Sequence, residues 1–439
     1  MAEKKPNIRF KGFEEEWEDK PFADEADTRR GLTYSPSSIC QKGIRVLRSS
    51  NISDDSFVKS DDDVFVEESA INIDYAKNND ILITAANGSQ RLVGKHCLIS
   101  GIEEKSTVHG GFMLLASAKN PHFLNASMGS SWYRDFINFF VAGGNGAIGN
   151  LNKADLDSYI IRVPSETEQQ KIGEFFKQLD ELIGAKEQEL EKLRQIKLAL
   201  LDKMFPSDSQ DNINGGGKSL IYKMLQNSLQ LVVSSPAPNT PTIRFRGFTE
   251  PWEKYLISRR VTYGKGRGYS KANLQQSGTP ILLYGTLYTD YNTNITEVDR
   301  YSTKKEWAVM SKGNEVVVPA SGETAEDIAR ASAILKAGII LGGDLNIIYP
   351  DDKLDASFLA LELTYGNSHR KLVKKAQGVS VVHLHNTDIS ELEINVPSYN
   401  EQRKIGDFFR SQDEAIANSQ LQINKLKTIK QACLSQMFA

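Results

Sequence analysis

Two stretches of the chain carry apolar residues at helical spacing for far longer than a core helix needs. In the first, Ile172, Phe176, Leu179, Ile183, Leu190, Leu193, Leu200 and Met204 recur on one face, with Glu, Lys and Gln filling the other. In the second, Ile405, Phe409, Ile416, Ile423, Leu426, Cys433 and Met437 do the same. Each run of about 38 residues predicts a helix of roughly 57 Å at ~1.5 Å per residue, too long for an ordinary core helix. The rhythm is heptad-like, but Lys186, Lys197, Gln412, Ser419 and Lys430 interrupt it. An interrupted seam predicts two helices that pack on each other, antiparallel, and also meet other partners. Val163-Pro164 and Val396-Pro397 stop the chain before each run; Ser165 and Glu168 have capping-box spacing, and Asn400 is placed to cap the second helix.

Elsewhere the pattern shortens. Strand-like apolar runs at 43–47, 80–84, 112–116, 281–284, 315–319 and 345–349 are punctuated by Asn87-Gly88-Ser89, Gly110-Gly111, Gly143-Gly144-Asn145-Gly146, Ser321-Gly322 and Gly342-Gly343. These regions read as mixed α/β. Asn79-Asp80-Ile81-Leu82-Ile83 is echoed by Asn314-Glu315-Val316-Val317-Val318, each leading into a glycine loop, so the two regions are expected to share one fold with different loops.

The echo is part of a duplication. Residues 6–22 return as 241–257 with 9 of 17 positions identical, and residues 151–205 return as 384–438 with 24 of 55 identical. Between them, 23–150 and 258–383 share almost nothing. A preserved frame and two divergent inserts predict one job done twice and another done differently each time. The frame opens with Ile-Arg-Phe-Lys/Arg-Gly-Phe and a Trp-Glu pair, Trp17-Glu18 and Trp252-Glu253. The expected organisation is α+β: domains at 1–164 and 241–397, long helices at 165–205 and 398–439 forming a coiled-coil spacer, a linker at 206–240, and pseudo-twofold internal symmetry. Within the linker, 206–217 reads as a flexible tether, and Ile221, Leu225, Leu229 and Val232 permit a short amphipathic helix.

Composition narrows the function less. Net charge is −3, so any nucleic-acid surface must be local. The first insert has 12 Lys/Arg against 15 Asp/Glu and the second 16 against 13, neither enough to argue for DNA alone. No apolar run is long enough for a bilayer span, the N-terminus lacks a signal-peptide pattern, and Cys40, Cys97 and Cys433 show no pairing logic; a cytoplasmic location is expected. Catalytic patterns fail one by one. Gly217-Lys218-Ser219 resembles the end of a phosphate loop, but position 212 is Asn and the flanking chain is polar tether. Gly264-Lys265-Gly266-Arg267-Gly268 breaks the dinucleotide fingerprint at Tyr269, leaving either a mobile turn or a basic loop whose backbone approaches a ligand. His383 and His385 share a strand face without the Cys/His partners of a metal site.

The doubled motif Val-Pro-x-x-x-Glu-Gln-x-Lys-Ile-Gly-x-Phe-Phe-x-x-x-Asp, ending in Ile-Lys-x-x-x-Leu-x-x-Met-Phe, resembles the specificity subunit of type I restriction–modification enzymes. The resemblance covers both repeats. It implies that each insert is a target recognition domain reading one half of a split, asymmetric DNA site. It implies that the helices space the halves and dock two methyltransferase subunits, with Phe176, Ile183, Leu193, Phe409, Ile416 and Leu426 serving packing or docking. It further implies no catalytic residue, metal or cofactor in this chain, S-adenosylmethionine on the methyltransferase, and ATP and magnesium on a separate restriction and translocase subunit. Two readings stay open beside it: a subunit serving a methyltransferase alone, and a scaffold whose inserts bind proteins instead of DNA.

Bases are read by Arg, Lys, Asn and Gln, and phosphates by Lys, Arg, Ser and backbone amides. On that basis the first insert offers Arg29, Arg30, Tyr34, Ser35, Arg45, Arg48, Asn87, Ser89, Gln90 and Arg91. The second offers Lys265, Arg267, Tyr269, Ser270, Lys271, Tyr284, Thr286, Ser321, Glu323, Thr324, Lys374 and Lys375.

Overall fold

The structure, a computed structural model, describes residues 5–141, 150–205, 231–234, 239–376, 378 and 381–438. The 143–146 glycine loop, the 206–217 tether and most of the expected linker helix lie outside the described residues. Val232, expected at the end of that helix, lies in a strand instead: Leu231–Val233 pairs antiparallel with Ile243–Phe245, and Leu231 enters the core.

The chain forms two compact units, Met1–Glu187 with Leu421–Ala439, and Gln188–Gln420. In the first, an antiparallel sheet runs Ala26–Arg30, Met113–Ala118, Ile81–Thr84, His96–Leu98. A mixed sheet runs Thr107–His109, Ile44–Leu47, Val64–Val66, Ile39–Cys40. In the second unit the corresponding sheets run Val261–Lys265, Leu345–Pro350, Glu315–Pro319, Ser332–Ile334, Asn294–Ile295 and Tyr301–Ser302, Thr279–Leu282, Ala337–Leu341, Met310–Lys312. The central strands Ile81–Thr84 and Glu315–Pro319 are mostly apolar because both faces are covered. Ile81 and Ile83 face a core shared with helices, whereas Leu82 faces a core with Leu47 and Leu115. Val316 and Val318, against Val317, divide in the same way. The echo at 79–83 and 314–318 therefore marks the same strand in each unit.

The repeated frame residues make the same contacts twice. Glu18–Pro21 pairs with Ile160–Val163, and Glu253–Leu256 with Glu393–Val396, at the same register. Trp17 and Trp252, each 2% exposed, sit beside these ribbons. Arg9 donates from Nε and Nη2 to both oxygens of Glu168 at 2.7 Å, and Arg244 does the same to Glu401 at 2.6 and 2.8 Å. This corrects the expected capping box: Glu168 is committed to Arg9. Likewise Asn400 is inside the second helix, whose first turn starts from Ser398, the repeat equivalent of Ser165. Gln169 and Gln402 each donate to the carbonyl of the preceding proline, at 3.2 and 2.9 Å.

The long helices span Glu166–Met204 and Tyr399–Gln436, 39 and 38 residues. In the first unit Lys430 meets Asp180 at 2.7 Å and Lys427 meets Glu187 at 2.8 Å. In the second unit Arg194 donates to Gln420 at 3.1 Å and Lys197 pairs with Asp413. Partner numbers fall on one helix as they rise on the other, so the segments are antiparallel within each unit. Lys197 and Lys430, two of the residues that break the apolar seam, supply two of these three ion pairs.

Each helix begins in one unit and ends in the core of the other. Leu434, Met437 and Phe438 pack against Trp17, Phe123 and Phe176. Leu200, Leu201, Met204 and Phe205 pack against Trp252, Phe358 and Phe409.

Candidate nucleic-acid interface

In both units the first strand of the insert, Ala26–Arg30 or Val261–Lys265, runs into a loop that presses on a second glycine loop. A Cβ on Gly31 would stand 2.0 Å from the Gly110 carbonyl oxygen, and one on Gly266 would stand 1.8 Å from that of Gly342. Leu32 N–H donates to His109 O at 2.7 Å, and Arg267 N–H to Leu341 O at 3.2 Å. Gly266 is thus required by backbone approach within the unit, whereas a Cβ on Gly264 or Gly268 would meet the side chain of Tyr349 or Trp307. This crossing ties the loop after the first strand to the glycine loop in each unit.

In the first unit, Asn87 Nδ2 donates to Ser49 Oγ at 2.9 Å, and Ala85 and Ala86 donate to Phe112 O, tying three loops together. Ser89 N–H caps onto Asn87 Oδ1 at 2.9 Å, while Gln90 and Arg91 are exposed on a short turn. Several predicted cations are internally engaged. Arg29 pairs with Asp80 at 3.2 Å and Asp74 at 3.7 Å. Arg45 pairs with Asp63 at 2.9 Å and lies 5.1 Å from the Phe65 ring centroid. Arg48 donates to Asp62 O at 2.6 Å. Arg30 is exposed, Tyr34 packs on the Leu32–Val46–Val108 cluster, and Ser35 caps the Pro36–Ser38 turn. Phe112, not anticipated from sequence, is 74% exposed on the glycine loop.

In the second unit the same loops enclose a groove of ≈ 910 Å³ lined by Tyr269, Ser270, Lys271, Tyr284, Tyr288, Arg300, Glu323 and Asp344. Tyr269 is 8% exposed; its hydroxyl donates to Thr303 O at 3.1 Å and accepts from Lys305 N–H at 2.9 Å. Ser270 N–H donates to Asn273 Oδ1 at 2.8 Å. Thr286 Oγ1 accepts from Arg300 at 3.0 Å, and Ser321 pairs with His383 in a short ribbon. Thr324 caps the Ala325–Ile328 turn, accepting from Asp327 N–H at 3.1 Å. Lys265, Arg267 and Lys271 are exposed. Lys305, Trp307, Tyr288, Arg300 and Asp344 were missed; the run Lys304-Lys305-Glu306-Trp307 carried a basic and aromatic signal that could have found the first two.

The remaining candidates lie elsewhere. Lys374 and Lys375 are on the helix Asn367–Lys375, where Lys375 pairs with Glu391 and Lys371 with Glu393 at 3.5 Å, beside the frame ribbon. Phe176, Ile183 and Phe409 are buried, whereas Leu193, Ile416 and Leu426 are half-buried. His383 and His385 stack with centroids 6.5 Å apart, and His385 N–H donates to Asp388 at 2.8 Å. His109 lies beneath the Gly31 crossing, 1% exposed; burial pushes it down to about 4, against a bond from Nε2 to Arg29 O that opposes the shift. Among the described residues no group of three or more His, Cys, Asp or Glu could hold a metal ion, and no helix is long and apolar enough to cross a membrane.

No curated protein matches the chain significantly. Two solved structures share its fold. One is a type I restriction–modification system S subunit from M. genitalium, 13% identical over 99% of each chain with a TM-score of 0.58. The other is described as the structural basis underlying complex assembly and conformational transition of the type I R-M system; it is 13% identical over 96% of this chain and 97% of that one, with a TM-score of 0.50. The model of the type I restriction modification DNA specificity domain matches residues 14–195 and again 249–428. With most of its length and both repeats matched, the chain belongs to the type I restriction modification DNA specificity domain family.

Proposed function

We propose that the chain is the specificity subunit of a type I restriction–modification complex, reading a bipartite, asymmetric site in double-stranded DNA. The observation that carries this is the contrast inside the duplication. Frame pairs such as Arg9–Glu168 and Arg244–Glu401 repeat atom for atom, while loops at equivalent places differ in chemistry. Gly110-Gly111-Phe112 stands where Gly342-Gly343-Asp344 stands, and equal docking surfaces with unequal readers suit two identical partners on two unlike half-sites.

In this reading the recognition domains lie within 1–164 and 241–397. The long helices form a coiled-coil spacer and dock two adenine methyltransferase subunits. Those subunits carry S-adenosylmethionine, and a restriction and translocase subunit uses ATP and magnesium. This chain contributes recognition and assembly, in the cytoplasm. The test is methylation sequencing of cells that hold the methyltransferase, with and without this gene. A split motif methylated on adenine only with the gene is expected. Cutting of unmodified DNA in the same cells separates the full complex from a methyltransferase-only one. A stable complex with no new motif would overturn the reader role in favour of a protein scaffold.

A further inference from the structure

We infer that Arg267, Lys305 and Trp307 form a DNA-backbone anchor that, among the described residues, the second unit alone possesses, so that salt-dependent grip and base reading are divided unequally between the units. The inference rests on the DNA-reading function proposed above and deepens it. Trp307 is 40% exposed and is pressed onto the glycine loop, where a Cβ on Gly268 would stand 2.4 Å from its ring. The Arg267 guanidinium lies 5.9 Å from the ring centroid and Lys305 Nζ lies 5.0 Å from it. Lys305 is also 5.4 Å from the Tyr269 ring, itself 5.2 Å from Trp307. Trp307 thus has two cations within 6 Å of its ring centroid, next to Gly268 and Tyr269 of the groove lining.

Among the described residues none of Lys265, Arg267, Lys271, Lys304 and Lys305 makes an ion pair with a carboxylate. Like charges gathered without a counter-charge repel one another, and a polyanion is the partner that reverses the sign. In the first unit the cations divide, Arg30 and Arg91 being exposed without an ion pair among the described residues. Arg29 and Arg45 are neutralised by Asp80 and Asp63. The strand Val64–Val66, which occupies the place of Tyr301–Ser302, is followed by Glu67-Glu68 where the second unit has Lys304-Lys305. Beside the indole and outside the groove lining, Arg267 is placed to meet phosphate oxygens and leaves base edges to the groove residues.

The test measures affinity of the full chain for a duplex carrying the selected motif and for a scrambled duplex, across a potassium chloride series. Each phosphate contact contributes a slope of about 0.9 in log affinity against log salt. Arg267→Gln with Lys305→Gln, both at exposed positions, is expected to lower the slope by about two phosphates and weaken both duplexes by the same factor, leaving the motif unchanged. Arg30→Gln with Arg91→Gln is expected to change the slope far less and relax the first half-site. An unchanged slope in the first pair, relaxed selection at one base of the second half-site, or an equal slope change in the second pair would overturn the anchor. If the wild type itself bound neither duplex in a salt-dependent way, the DNA-reading function would fail instead.

Discussion

At the scale of single residues, identity between the repeats follows burial of charge. Arg244 and Glu401 are 4% and 0% exposed at the side chain, so each is tolerable only because the other is there. Arg244→Met is expected to destabilise the second unit by about 3–5 kcal/mol, as an uncompensated buried carboxylate would. Urea melts followed by Trp252 fluorescence would measure it; a loss below about 1 kcal/mol would place the pair with ordinary surface bridges. His109 supplies a pH counterpart in the first unit. Its folded value, about 4, is below its unfolded value near 6.5, so the unfolded chain takes the proton first. Stability is therefore whole above about pH 6.5 and declines as pH falls toward 4, by up to about 3 kcal/mol. His109→Gln should remove that share of the acid dependence, read from thermal melts between those pH values. A slope unchanged by the substitution would assign the acid loss to other groups, including His96, which burial also pushes down.

At the scale of elements, much was legible because the elements are governed by local pattern. The long helices were readable from apolar periodicity, and the central strands at 81–84 and 315–319 from runs that only a doubly covered strand sustains. The crossing of glycine loops was not, since Gly31 and Gly110 are far apart in sequence and glycine gives no sign of which backbone it admits. Nor was the internal engagement of Arg29 and Arg45, because an arginine in a loop reads alike whether an aspartate lies folded against it or not. Gly173 shows how a helix can be judged wrongly by propensity. Replacing it with alanine favours an isolated helix by about 1 kcal/mol. Yet a Cβ there would lie 2.9 Å from Phe123 N and 3.3 Å from His122 Cβ, where the helix Pro121–Met128 begins. Gly406 meets Ser357 Cβ at 2.9 Å at the equivalent place. Gly173→Ala is thus expected to cost about 1–3 kcal/mol through overpacking, while the same change at Gly184, which has nothing within 4 Å, should be neutral or stabilising. Comparing the two melts decides between propensity and packing.

At the scale of the whole molecule, the two repeats are not the two structural units. The frame that begins each repeat is completed by the helix end that closes the other, since Met437 and Phe438 are in the core with Trp17, and Met204 and Phe205 in the core with Trp252. The repeated Met-Phe ending is preserved because each copy fills an equivalent cavity. Damage should therefore appear far from its place in the sequence. Met437→Ala, a fully buried position near the C-terminus, is expected to destabilise the N-terminal unit by about 2–5 kcal/mol and leave the second unit unchanged. Met204→Ala should do the reverse. Hydrogen exchange reads both: Met437→Ala should speed exchange in the strand Met113–Ala118 and the helix Pro121–Met128, with Leu345–Pro350 and Ala356–Tyr365 protected as before. Faster exchange confined to the second unit would mean that each repeat closes its own core.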